Sequence, residues 1–164
     1  MSRIVQQGST YVLRAAVLAV GLAVLALCIF ALPATWRAVP AEYPNHTYVF
    51  YGIIIAMYAA AVPFFAALFQ TMKILSFIDR GKAFSELSVK ALKVIKYCGI
   101  VISIAYAASL PFFYMWANND DAPGLLVIAM VLTCAPLAVS VFAAVLQRLL
   151  REAIAIKSEH DLTV

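Results

Sequence analysis

Apolar side chains fill this chain in four long blocks, and the short segments between them collect most of the charge. The blocks cover residues 12–32, 49–72, 94–117 and 125–146. Each is long enough to cross a bilayer core, which takes about 20 helical residues. None alternates with the period of two that a barrel strand needs, so all four predict helices. Arg14 and Lys96 fall in the first turns of their blocks, where long side chains reach the headgroup layer. Apart from these two, the blocks hold no Asp, Glu, Lys, Arg or His. The pattern predicts an all-α integral membrane four-helix bundle, written as one domain over residues 1–164.

Composition narrows the picture further. Of 164 residues, 65% are hydrophobic and 12% charged, too few polar groups to cover a water-soluble globule. This excludes an ordinary cytosolic enzyme, a disordered chain and a secreted disulfide scaffold. The first block exceeds a signal-peptide core, and Ala31-Leu32-Pro33 is no cleavage site, so it reads as an anchor. Cys28, Cys98 and Cys134 stand alone, without a CxxC pair, and read as free packing thiols.

Charge sets the expected direction. Arg3, Arg14, Lys73, Arg80, Lys82, Lys90, Lys93, Lys96, Arg148, Arg151 and Lys157 flank one side of the blocks, against Arg37 alone on the other. Both termini, the connector 73–93 and the tail 147–164 are therefore expected in the cytoplasm. The net charge of +4 reports this topology and an affinity for anionic lipid. No direct nucleic-acid binding is expected from it.

Small residues four apart favour close helix packing: Ala15/Ala19/Ala23, Gly52/Ala56/Ala60, Gly99/Ser103/Ala107 and Ser140/Ala144. Pro63, Pro111 and Pro136 are expected to kink their helices. Tyr43, Tyr48, Tyr51, Phe112, Phe113, Tyr114 and Trp116, with Trp36 nearby, form an outer aromatic belt. The outer segments 33–48 and 118–124 read as loops, with Asp121 and Pro123 starting the fourth helix.

The basic side carries more structure than short loops require. The second helix should run on to Asp79 and stop at Gly81, a residue suited to a left-handed cap. Ser85 is expected to cap the next helix, with Glu86 in its first turn. Leu87, Ala91, Val94, Ile95 and Cys98 then recur at helical spacing. The fourth helix should overrun the bilayer as far as Lys157. Its overhang carries Leu146, Leu149, Leu150, Ala153 and Ile154 on one face and Gln147, Arg148, Arg151 and Glu152 on the other. Packing on the helix at 84–95 or docking of a cytosolic partner would cover that apolar face.

Three stretches carry a family resemblance. They are Pro63-Phe64-Phe65-Ala66-Ala67-Leu68-Phe69-Gln70, Ile78-Asp79-Arg80-Gly81-Lys82-Ala83-Phe84-Ser85, and the tail from Leu146 to Val164 with its ending Glu159-His160-Asp161-Leu162-Thr163-Val164. The chain resembles, over nearly its whole length, the bacterial four-span membrane family known as domain of unknown function 2975. His160 stands where that family's pattern has Asn. The resemblance implies a bacterial inner-membrane protein without assigned catalysis. Members are often encoded beside a small helix-turn-helix regulator, which implies a cytosolic partner.

Three functions compete. The first is a sensor or anchor that offers a cytosolic partner two elements. One is the turn with Asp79, Arg80, Gly81, Phe84 and Ser85; the other is the tail with Arg148, Arg151, Glu152, Lys157, Glu159, Asp161, Leu162, Thr163 and Val164. The second is a small permease or channel for an apolar or lipid-like compound, since Gln70, Thr71, Ser103, Thr133 and Ser140 are too sparse to outline a polar path. The third is an enzyme or metal sensor using His46, Glu42, Asp120 and Asp121. No nucleophile elbow, phosphate loop or zinc motif accompanies those residues. No catalytic residue, cofactor or metal is expected; the partners are the bilayer, a cytosolic regulator and, in a homo-oligomer, further copies of the chain.

Overall fold

Pro33 has no N–H, and its ring would crowd the carbonyl of Ile29 one turn earlier in a regular helix. The computed structural model, which describes residues 2–163, shows how the first helix meets this. Helix α1, Ser2–Ala26, opens into a π-helical turn at Leu27–Ala31, and the Leu32 N–H donates to the Leu27 carbonyl. The chain continues without a break as α2, Leu32–Glu42. Most of the expected outer loop at 33–48 is therefore helix. Only residues 43–46 form the turn into α3, Thr47–Asp79, with the His46 N–H donating to the Tyr43 carbonyl at 3.2 Å.

Helix α4, Glu86–Asn119, and helix α5, Pro123–Thr163, complete an architecture with no strand among the described residues. All four rods are long and apolar enough to cross a membrane. Four crossings bring both ends of the chain to one end of the bundle. That end holds the basic connector and is called the basic end below. Val164 and the side chain of Arg3 lie outside the described residues.

Helices α3, α4 and α5 pack in sequence, with α4 in the middle; α1 and α2 lean on α3. Helices α1 and α5 form no packed interface among the described residues. Large apolar side chains point outward along the spans: Val62 is 74% exposed, Phe142 68% and Ile104 63%. In water such a surface would drive aggregation; in hydrocarbon it is the solvated face.

The packed interior has two centres. At the end opposite the basic one, Val49, Ile53, Phe113 and Ala129 form a buried cluster, joined by Met57, Leu110, Phe112 and Trp116. Aromatic pairs extend it across three helices: Trp36 stacks on Tyr51 at 4.1 Å, Tyr43 meets Phe50 at 4.5 Å, and Phe50 meets the Trp116 edge at 5.0 Å. Part of the expected interfacial belt thus serves as helix-to-helix packing.

The second centre is the α4–α5 crossing, where Gly99 and Ser103 face Ser140. Ser140 Oγ donates to the Lys96 carbonyl at 2.9 Å and the Pro136 carbonyl at 3.0 Å, and Ser103 Oγ donates to the Thr133 carbonyl at 2.7 Å. A Cβ on Gly99 would collide with Ser140 Oγ and come within 2.8 Å of the Pro136 carbonyl, so this approach requires glycine. Gly52 likewise accommodates the Phe112 ring. The row Ala15/Ala19/Ala23, by contrast, is exposed and makes no helix contact of this kind.

Candidate functional site

At the basic end, α3 stops as its sequence dictates. Gly81 adopts φ +67°, the Gly81 N–H donates to the Ile78 carbonyl at 3.1 Å, and the Lys82 N–H reaches back to the Phe77 carbonyl at 2.8 Å. Ser85 sits in extended conformation just before α4, but its hydroxyl does not cap that helix. It donates backward to the Lys82 carbonyl at 2.7 Å and closes the turn instead. Glu86 does occupy the first turn of α4. A similar correction applies at the other end of α4. Asp121 takes φ +49° as the left-handed residue that ends α4, while Pro123 opens α5.

The turn residues divide by environment. Asp79 accepts a 2.7 Å ion pair from Arg14 of α1. Arg14, expected to reach the headgroup layer, is thus paired with a residue of the bundle itself. Arg80 and Gly81 are exposed, and Phe84 is 60% exposed. Ser88 and Val89 are buried at the start of α4, and Ser88 Oγ is an unpartnered buried hydroxyl. Leu87, expected on the inner face, is instead half exposed.

Helix α5 spans 41 residues, about 60 Å at about 1.5 Å per residue, against a bilayer core of about 30 Å. Its inner face differs from the expected one. Ala143 and Gln147 are buried and Leu150 and Ile154 half-buried, while Leu146 and Leu149 are more than half exposed. Gln147 Oε1 lies 3.4 Å from Lys96 Nζ, whose ammonium also sits 4.9 Å from the centre of the Tyr97 ring. Further along, Arg148 pairs with Glu152 at 3.3 Å, and Thr163 Oγ1 donates to the Glu159 carbonyl at 2.6 Å. Arg151, Lys157, Glu159, Asp161 and Leu162 all project into the surroundings. Among the described residues no hydrogen bond or ion pair joins this tail to the turn around Gly81.

Between α1 and α5, where the bundle does not close, lies a cleft of about 580 Å³. That is within the 300–1,000 Å³ range of small-molecule sites. Its walls are almost wholly apolar. Leu27, Cys28 and Leu32 come from the π-helical turn and its exit, Phe64 and Leu68 from α3, and Val131, Ala135 and Val139 from α5. Tyr106 of α4 also lines it. The Tyr58 hydroxyl donates to the Cys28 carbonyl at 2.9 Å, which fixes the π-helical turn against α3. Pro136 lines the cleft, whereas Pro63 and Gln70 do not. The span hydroxyls are committed to backbone: Thr71 donates to the Ala67 carbonyl and Thr133 to the Ala129 carbonyl, both at 2.9 Å.

The opposite end does not assemble the proposed cation ligands. Asp120 Oδ2 accepts the Trp116 indole N–H at 2.8 Å, and no group of three His, Cys, Asp or Glu among the described residues could hold a metal ion. Cys28, Cys98 and Cys134 are free thiols.

Comparison with known proteins now adds a family. A family model described as protein of unknown function (DUF2975) matches residues 38–164. The chain belongs to this family. It is 53% identical over 156 residues to the uncharacterized membrane protein YoaS of Bacillus subtilis (strain 168), covering 95% of this chain and 98% of that one. No solved structure matches. Like its relative, this member is a membrane protein of unknown function; it has four helices able to span the bilayer.

Proposed function

We propose that this DUF2975 protein is a non-enzymatic sensor or anchor of the bacterial inner membrane, with both termini cytoplasmic. It holds a cytosolic partner such as a helix-turn-helix regulator. The observation that carries this reading is the continuity of α5. One rod lines the apolar cleft with Val131, Ala135 and Val139 and ends in a tail whose Arg151, Lys157, Asp161 and Leu162 are exposed. A change felt at the cleft would move along a rigid element to that tail, and the exposed Arg80–Phe84 turn lies at the same end.

Deleting residues 158–164 tests the reading. Membrane insertion should persist and partner co-purification should be lost; retained binding argues against it. Topology reporters fused at Arg80 or after Thr163 should register as cytoplasmic, and those at Pro44 or Asp121 as external.

The cleft favours a second reading, passage or binding of an apolar or lipid-like compound. Flux in proteoliposomes that is lost on Ala135→Phe, which would fill the cleft, supports this reading over the first. Unchanged flux in that variant counts against it.

A further inference from the structure

Helix α5 carries a second stripe, separate from the one that packs on α4. Val139, Phe142, Leu146, Leu149, Ala153 and Ile156 recur at alternating steps of three and four residues. Five of the six are at least half exposed: Val139 52%, Phe142 68%, Leu146 53%, Leu149 55% and Ile156 68%. Such a heptad seam is what a partner helix in a left-handed coiled coil covers. The lower half of this one stands beyond the fourth apolar block, where lipid no longer solvates it. The stripe ends at His160 and Thr163, which take the next two seam positions with polar side chains.

We propose that this seam pairs with the same seam of a second copy, making a parallel homodimer through α5. Two features select that occupant. Copies inserted the same way in one membrane present their α5 helices in parallel, so the seams meet in register under a twofold axis. The flanking charges suit a parallel pair. With Leu146 and Ala153 at the first seam position of each heptad, Glu152 and Lys157 occupy the two flanking positions that meet across a parallel interface, one from each helix. Both are exposed, and Glu152 carries only the exposed contact to Arg148. The inner face of α5, with Ala143 and Gln147, stays on its own bundle, and Arg148, Arg151 and Leu162 remain outside the seam. Of the tail residues offered to a cytosolic partner, the dimer therefore engages Glu152, Lys157 and Thr163, and a partner held together with it would use the others.

Disulfide trapping in native membranes tests it, on a full-length background with Cys28, Cys98 and Cys134 replaced by alanine. Leu149→Cys and Ile156→Cys should give a crosslinked homodimer on oxidation, at least tenfold more than Arg151→Cys and Ser158→Cys on the opposite face. Glu152→Lys should lower the yield from Ile156→Cys, and adding Lys157→Glu should restore it. Equal yields on both faces would overturn the proposal. So would capture at Ile156→Cys of a polypeptide of another mass. Photobleaching of the fluorescently tagged wild-type chain in vesicles gives a check without cysteine changes: two steps support the dimer, and single steps overturn it.

Discussion

Arg14 of α1 and Asp79, the last residue of α3, are 65 positions apart in the chain and 2.7 Å apart in space. Each side chain is 30% exposed, so the pair is partly shielded at the basic end of the bundle. It ties α1 to α3 at the level where the chain leaves its apolar block. Arg14 Nε is buried there without an acceptor, which makes the position depend on Asp79 for its one ion pair.

Breaking that pair should loosen α1. A double-mutant cycle with Arg14→Gln and Asp79→Asn, read by thermal unfolding in detergent, should give a coupling of about 1 kcal/mol, the upper end for exposed pairs. Additive effects would show that the contact contributes nothing to stability.

Gly99→Ala should be the costliest small change in the chain. The added methyl meets Ser140 Oγ and the Pro136 carbonyl, and a carbonyl of a packed helix cannot move aside. Overpacking of this kind costs about 1–3 kcal/mol. Ser140→Ala should cost less, about 0.6 kcal/mol, a typical value for one interhelical hydrogen bond in a membrane. A stability ranking in the same detergent checks the order.

Gly81→Ala meets no steric obstacle, since nothing lies within 4 Å of the added Cβ. Its cost comes from the left-handed backbone alone, about 1–2 kcal/mol for an L-residue. Gly81→Asn should fall between the two. Limited proteolysis of residues 80–85 reports the same change, with faster nicking in the alanine variant.

The cleft should be open to lipid. Tryptophan placed at Ala61, near the middle of the second apolar block, should be quenched by lipids brominated at mid-chain, measured against the wild-type signal from Trp36 and Trp116. An unquenched added signal would mean that α1 and α5 close over the site.

Much of this architecture can be read directly from the residues. The four spans, the stop at Gly81 and the overrun of α5 follow from block length, backbone freedom at glycine and the rise per residue. The facing of α5 does not. In the overhang, polarity marks Gln147 as outer and Leu149 as inner, and packing reverses both: Gln147 turns in toward Lys96 of α4, and Leu149 is left exposed. Arg14–Asp79 and the cleft are likewise products of distant packing. The small-residue rows divide the same way. Gly99/Ser103 lies at a real crossing and Ala15/Ala19/Ala23 does not, and only the partner helix distinguishes them.

The wide turn at Leu27–Ala31 also sets a phase. Wound as ordinary helix with the same residues, this segment would swing all that follows by about 100°, the angular step of one residue. Trp36 would leave the Tyr51 ring, and Cys28 would no longer receive the Tyr58 hydroxyl. The extra residue acts as a rotational offset. It lets one rod present one side to α3 near Gly21 and Leu68 and a different side to α3 near Trp36 and Tyr51.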